Sequence, residues 1–237
     1  MKAVVNSFTL ITVSVASIIM LSKEATASVT LQPVSASTNM GELVLRDADG
    51  SIVVFAAASH VIDQSALTPR YTSKVSDFDS YINSHPTANH GFGAAAWGSP
   101  AGVRSGTFDL NLGGDYKVNS MALWNAVDDP SAIREFNILL DDNPSFSSPE
   151  KFSGFTALNS LREESSFSSF SQVFTFDPTA AHFVRLEILN TWSPSSYGTV
   201  FNEVMFGVSP VPESETYAML LAGLGLIGFM SRRRNTV

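Results

Sequence analysis

Residues that could carry out catalysis are few in this chain, and they do not fall into the spacings that known mechanisms need. The sequence has no Gly-x-Ser-x-Gly nucleophile turn, no His-Glu-x-x-His zinc pattern and no phosphate-binding glycine loop. His85 and His90 lie close in sequence, but two histidines without a third ligand do not make a zinc site. The carboxylate pairs at 128–129 and 141–142 fall in turn-forming stretches. The sequence therefore predicts a protein that is not an enzyme, with a small secreted hydrolase as the less favoured alternative.

Composition and charge exclude further kinds of chemistry. The chain has no cysteine, which excludes disulfides, thiolate metal sites, a cysteine nucleophile and a lipid-modified N-terminal cysteine. Its formal net charge is −8 and it has no basic stripe, so nucleic acid is not expected as a partner, because binding phosphates needs clustered Lys and Arg. Aromatic and apolar residues are plentiful, so the middle of the chain is expected to fold around a core.

The N-terminal residues have the pattern of a secretion signal. Lys2 gives a positive start, residues 4–20 are mostly apolar, and Ala25 and Ala27 form the small-x-small pattern that a signal peptidase reads. We expect cleavage after Ala27, which would remove residues 1–27 during export. The alternative is a retained N-terminal anchor.

A short apolar segment followed by arginines lies near the C-terminus. The segment covers residues 217–230, and Arg232, Arg233 and Arg234 follow it. At about 1.5 Å per residue a helix of this length spans about 21 Å, less than the roughly 30 Å hydrocarbon core of a bilayer. Length alone favours a buried helix, but the terminal position, the glycines and the arginine stop favour a membrane helix with its positive end inside. This orientation places the preceding domain outside the cytoplasm.

The same C-terminal residues resemble a known sorting signal. Pro212 and Glu213 precede the apolar segment and the three arginines follow it, as in PEP-CTERM sorting signals, which are also called ice-binding protein C-terminal domains. Ser214 stands where that family has a second proline. The resemblance covers residues 211–237. It implies that the tail is held transiently in the inner membrane and cut by an exosortase, so that the product reaches the cell surface or the extracellular matrix.

Between residues 28 and 209 the sequence predicts short β-strands, which would form a single domain. Five runs of alternating apolar residues, bounded by turn-forming residues, occur at 107–112, 118–124, 136–140, 173–176 and 184–188. Residues 43–45 and 52–55 could pair across an Asp-Gly turn, and one helical turn is expected within 75–82. Short strands without long helices predict an all-β fold, an antiparallel β-sandwich or jelly roll.

The order of these strands resembles the discoidin, or coagulation factor 5/8 type C, family of galactose-binding-like domains. Residues 106–113, 182–188 and 202–206 carry the resemblance, because they match three strands of that family in order and spacing. The match is clearest over residues 61–208. It implies a jelly-roll sandwich that binds ligands with the loops at one end.

The resemblance also implies a structural calcium ion, which many members of that family hold between an early loop and the last strand. Residues 61–71 look like the early loop, with Gln64 in place of the family's usual glycine. The implied ligands are two carboxylates and two hydroxyl or carbonyl oxygens, supplied by Asp63, Glu203, Ser65 and Thr68. Calcium prefers such oxygen ligands. The alternative is a hydrogen-bonded loop that closes one end of the sandwich.

Domains of this family bind sugars with aromatic and polar side chains on their loops, because a pyranose has an apolar face as well as hydroxyl groups. Three candidates lie in the loop before the last strand and a fourth lies earlier: Trp192, Ser193, Tyr197 and Trp97. Burial in the core is the alternative for Trp97, as for Trp124. The low charge density and the serine-rich loop at 165–171 favour neutral or weakly charged glycans.

The targeting segments and the predicted sandwich are compatible with two functions. The first is an exported surface or matrix protein whose non-catalytic sandwich binds polysaccharide. The second is a purely structural matrix or adhesion protein with no dedicated ligand. The expected partners are a signal peptidase, an exosortase-type processing enzyme and, for the first function, an exopolysaccharide.

Overall fold

Antiparallel β-strands make up most of the protein in this computed structural model, which describes residues 28–89, 96–127, 129–159, 168–193, 198–210 and 222–224. In chain order the strands are β1 (Val29–Leu31), β2 (Ser35–Thr38), β3 (Leu43–Arg46), β4 (Ile52–Ala56), β5 (Leu67–Thr68), β6 (Thr87–Asn89), β7 (Trp97–Gly98), β8 (Gly106–Asn125), β9 (Ile133–Asp141), β10 (Glu150–Thr156), β11 (Ser168–Phe170), β12 (Gln172–Thr191) and β13 (Val200–Pro210). The 3₁₀ helix Ala58–Ile62 and the α-helix α1 (Phe78–Asn83) lie between them. The predicted all-β antiparallel fold is confirmed.

Two long strands, β8 and β12, run through both layers of the sandwich. The first half of β8 pairs with β2 and with the second half of β12, and β12 pairs on its other side with β9, which pairs with β10. The second half of β8 pairs with the first half of β12 and with β13, and β13 pairs with β1 and β7. One continuous sheet is therefore folded over into two layers that share two strands.

The bends in these long strands differ from the sequence prediction. The sequence predicts that strands end at Leu112 and Phe176, but this is wrong, because each belongs to a twenty-residue strand that continues beyond it. In β8 the bend coincides with Gly113, whose φ of 74° is one that glycine adopts readily. In β12 the register shifts between Thr175 and Thr179. Turn-forming residues here bend a strand instead of ending it.

Alternating apolar residues of both layers form the main core. Nine of them, none more than 1% exposed, are Phe108, Leu110, Leu112, Val184, Leu186, Ile188, Val204, Phe206 and Val208. Burying a side chain of this size contributes roughly 1.5–3 kcal/mol to stability. The core therefore fixes the positions of β8, β12 and β13 relative to one another.

Two local predictions in the first part of the chain are confirmed. β3 and β4 pair as an antiparallel hairpin, with Gly50 at a φ of 88° in the turn. The helical turn is α1, which begins after Asp77, whose carboxylate accepts a hydrogen bond of 2.8 Å from the amide of Ser80.

The targeting segments lie almost wholly outside the described residues. These include the signal peptide with Ala25 and Ala27, and the sorting residues Pro212, Glu213, Arg232, Arg233 and Arg234. Of the predicted membrane helix, residues 222–224 are described, and they are helical. Within the ranges that the structure describes, no helix is long and apolar enough to cross a membrane. The domain boundaries, the cleavage site and the membrane helix stay predictions.

The side chain of Asn125 ties the end of β8 to the start of β9. Its Nδ2 donates to the carbonyl oxygens of Ile133 at 2.7 Å and Leu158 at 3.1 Å. Its Oδ1 accepts from the amides of Ile133 at 3.0 Å and Ala126 at 3.1 Å. The side chain is buried, so water cannot replace these partners.

We therefore expect Asn125→Ala to lower the free energy of unfolding by about 2–4 kcal/mol, because several buried backbone groups lose their partner. Chemical denaturation measures this change. Asn111→Ala is the control, since the Oδ1 of Asn111 accepts one exposed bond from Gly113. Equal losses in the two variants would show that Asn125 does not join the strands in this way.

Candidate functional site

A groove of about 400 Å³ lies where β12 ends. Because the strands are antiparallel, Ile188 near the end of β12 pairs with Gly106, the first residue of β8, while Thr191 pairs with Ile133, the first residue of β9. The end of β12 is therefore flanked by the beginnings of both neighbouring strands. The residues that line the groove are Arg104, Ser105, Arg134, Leu189, Asn190, Thr191, Trp192 and Ser193.

Trp192 is half-buried and held in a fixed position in this groove. Its backbone amide donates to the carbonyl of Ala132 at 3.1 Å, and its indole Nε1 donates to the carbonyl of Ala157 at 2.9 Å. The guanidinium carbon of Arg134 lies 5.3 Å from the ring centroid, within the range of a cation–π contact. The neighbouring Ser193 amide donates to Pro130 at 2.9 Å. The groove thus has a preorganised aromatic wall.

The side chain of Asn190 lies beside this wall and is oriented by Glu135. Its Nδ2 donates to Oε2 of Glu135 at 2.8 Å, and its Oδ1 is buried without a partner among the described residues. A carboxylate can only accept, so it fixes which way the amide points. A buried acceptor without a donor is unfavourable.

The predicted sugar-contacting residues separate into three groups. Trp192 and Ser193 lie together in the groove. Tyr197 lies outside the described residues. Trp97 is 0% exposed, so its predicted role as a stacking platform is wrong: its indole donates to the carbonyl of Gly41 at 3.1 Å and packs edge-on against Phe108. Trp97 is therefore a core residue, which was the alternative that the sequence offered.

The loop predicted to hold calcium packs against a buried carboxylate. Glu203 is completely buried in β13. Its Oε2 accepts a hydrogen bond of 3.1 Å from the amide of Gln64, while its Oε1 has no partner among the described residues. Burial, and then the nearby charge of Asp63, raise the pKa of Glu203 well above its usual value.

The backbone of Gln64 adopts a conformation that favours glycine. Its φ of 58° lies in the left-handed region, which few residues other than glycine adopt at low cost. Its buried side chain then stabilises the loop: Nε2 donates to Oε1 of Gln32 at 2.6 Å, and Oε1 accepts from the amide of Tyr71 at 3.0 Å. The hydroxyl of Tyr71 is a second buried polar atom without a partner in the described structure.

The four predicted calcium ligands are only partly brought together. Asp63 lies close enough to Glu203 to raise its pKa, and Oδ1 of Asp63 accepts a bond of 2.7 Å from the amide of Ser65. Thr68 is exposed and pairs with Thr87 through β5 and β6. The described residues include no group of three or more His, Cys, Asp or Glu that could hold a metal. The unpartnered Oε1 of Glu203 nevertheless fits a cation with oxygen ligands.

Six groove residues were not predicted from the sequence, and the three of them with charged or amide side chains are Arg104, Arg134 and Asn190. They lie far apart along the chain and match no motif. Arg104 lies just before β8 and Arg134 is the second residue of β9, the two strands that flank β12. That these residues meet at one site follows only from the strand pairing, which the sequence does not specify.

The C-terminal part of the chain matches a protein family, described as the PEP-CTERM protein-sorting motif, over residues 210–234. The chain carries a PEP-CTERM tail. This confirms the resemblance seen in the sequence, and places the start of the motif at the last residue of β13. No curated protein matches the chain.

Several solved structures are similar to this chain at low sequence identity. The CBM32 of AlyQ, in complex with 4,5-unsaturated mannuronic acid, has 15% identity and a TM-score of 0.41, over 75% of this chain and 96% of that one. A fucose-binding module of Streptococcus pneumoniae has 14% identity and a TM-score of 0.45, over 77% and 96%. A fucolectin from striped bass serum, Morone saxatilis, has 12% identity and a TM-score of 0.49, over 76% and 48%.

Replacing Glu203 tests whether its carboxyl is an uncompensated buried acid when no metal is present. Because the folded-state pKa is raised, the neutral form is favoured in the folded protein, and stability falls as the pH rises from the unfolded pKa of about 4.3 through the folded pKa. In EDTA at pH 8 we expect Glu203→Gln to be more stable than the original protein by roughly 1–3 kcal/mol. Near pH 4 the difference should be small.

Denaturant unfolding at the two pH values measures this effect. Glu150→Gln removes an exposed acid and serves as the control, with little change expected at either pH. A Glu203→Gln protein that is less stable than the original at pH 8 would contradict the assignment.

Proposed function

We propose that this protein is exported, held transiently in the inner membrane by its PEP-CTERM tail, processed by an exosortase, and placed at the cell surface or in the extracellular matrix, where its β-sandwich binds polysaccharide without catalysis. The motif match at 210–234 supports the sorting steps. The observation that carries the binding proposal is the groove, in which a fixed indole lies beside two arginine side chains.

The groove offers the two kinds of contact that a sugar ring needs. An apolar ring face can pack against the exposed part of Trp192, and the guanidinium groups of Arg104 and Arg134 can donate hydrogen bonds to ring oxygens. The described lining residues include no carboxylic acid and no histidine that could transfer a proton. This supports binding without bond cleavage.

The direction of β13 supports a role at a surface. β13 begins at Val200, which bridges to Ala132 beside the groove, and ends at Pro210, where the sorting motif begins. Ten steps at about 3.3 Å separate these ends by roughly 30 Å. Val29 of β1 pairs with Val208, so the N-terminal end of the domain also lies at the tail side. A tail held in a membrane would leave the groove facing away from it.

We also propose that Asp63 and Glu203 hold a structural calcium ion. Bound calcium would supply positive charge that lets the buried Glu203 stay ionised. The support is the unpartnered Oε1 of Glu203 together with the nearby charge of Asp63. The ion would tie the loop after the 3₁₀ helix to β13.

The sugar proposal predicts that Trp192→Ala weakens binding to the best oligosaccharide ligand by about tenfold or more, because buried aromatic contacts carry much of the energy of such sites. A glycan array that includes polysaccharide from the producing organism identifies the ligand, and isothermal titration calorimetry measures its affinity. Tyr116→Ala is the control, since Tyr116 pairs with Pro210 at the opposite end of the sandwich.

Two results would contradict the sugar proposal. Equal affinity of the Trp192→Ala variant and the original protein would place binding elsewhere. The absence of binding to any glycan would favour the second function, a purely structural matrix protein.

The calcium proposal predicts that 5 mM CaCl₂ raises the melting temperature above that in EDTA, because a ligand of the folded state stabilises it, by about 2.7 kcal/mol at one hundred times the dissociation constant. Glu203→Gln should abolish the rise. Glu150→Gln should keep it. An original protein that melts at the same temperature in calcium and in EDTA would contradict the proposal.

A further inference from the structure

We propose that the groove selects acidic sugars, and that the carboxylate of a uronic acid binds to Arg104 and Arg134. This inference rests on the proposed function, because it concerns which sugar occupies the site beside Trp192. The composition of the whole chain predicts neutral or weakly charged glycans, whereas the groove has a positively charged lining.

The two arginines approach the groove from opposite neighbours of β12. Arg104 precedes β8, and Arg134 is the second residue of β9. Both line the groove at the end of β12. Arg104 makes no hydrogen bond or ion pair with any residue in the described part of the chain. The guanidinium of Arg134 lies over Trp192, and its Nε is 3.7 Å from Oε1 of Glu135.

The charge of the groove is opposite to that of the protein. Its lining residues include two arginines and no acid, and Glu135 beside them offsets one positive charge. The chain as a whole has a net charge of −8. An acidic glycan is therefore repelled by the protein as a whole, so a preference for it must come from local contacts.

The polar side chains of the groove call for two kinds of group on the ligand, a carboxylate and hydroxyl groups. Guanidinium groups are planar donors that match the two oxygens of a carboxylate. Ser105 lines the same groove, and its hydroxyl can exchange hydrogen bonds with a ring hydroxyl. A uronic acid carries both a carboxylate and hydroxyl groups on one ring. An amino sugar with a free ammonium group would place its positive charge against two arginines.

The test compares trisaccharides of galacturonate, mannuronate and glucuronate with their carboxyl-reduced counterparts, which keep the ring stereochemistry and lose the charge. We expect the original protein to bind at least one acidic trisaccharide about tenfold more tightly than its reduced counterpart, the usual size of a charge-assisted pair. In the double variant Arg104→Gln/Arg134→Gln this ratio should fall to nearly one. Melting curves verify that the variant is folded.

A charge-matched control separates local recognition from overall charge. The double variant Lys74→Gln/Lys117→Gln also removes two positive charges, but near Tyr116 at the opposite end of the sandwich. It should keep the ratio of the affinities for acidic and reduced trisaccharides. Equal affinity for acidic and reduced sugars would overturn the acidic preference while the sugar-binding proposal stands. A ratio that falls equally in both double variants would also overturn it. Absence of binding to every trisaccharide and to the glycan array would overturn both proposals.

Discussion

Backbone hydrogen bonds between β8 and β12 hold both layers of the domain, because these two strands run through both and pair with each other along most of their length. Every other strand of the large sheet joins one of these two strands, or joins a strand that does. The apolar side chains of β8 and β12 then meet those of β13 in one core. A change in this pairing by one residue would turn the core side chains outward.

The same pairing decides where the candidate site lies. β12 is flanked by the beginnings of β8 and β9, so Asn190 at its end and Trp192 just after it lie beside residues from the start of both neighbours. The internal hydrogen bonds of Trp192 and Asn190 hold both groups in place before a ligand arrives. Binding a sugar would then require little ordering of the protein. β13 runs from this end of the domain to the opposite end, where the sorting motif begins.

The sequence predicted the parts that depend on local pattern and missed those that depend on strand pairing. Period-two alternation located the core strands, and the Asp-Gly step predicted the hairpin at Gly50. Gly113 predicts a strand end from sequence alone, because its conformational freedom suits a turn as well as a bend. Trp97 could not be assigned from its type, since exposed and buried tryptophans look alike in sequence. Arg134 matches no sequence pattern, because its neighbours in the groove are distant along the chain.

The three tryptophans of the chain provide the most direct test of the central claim, that sugar binds in the groove at the end of β12. Trp97 and Trp124 are buried, and their indole N–H groups donate to the carbonyl oxygens of Gly41 at 3.1 Å and Pro86 at 3.0 Å, respectively. Trp192 lies in the groove. In ¹H–¹⁵N spectra of the purified protein, with signals assigned by Trp192→Phe, we predict that the indole signal of Trp192 shifts with added oligosaccharide while the other two stay in place. Saturable binding that leaves the Trp192 signal unmoved would contradict the claim.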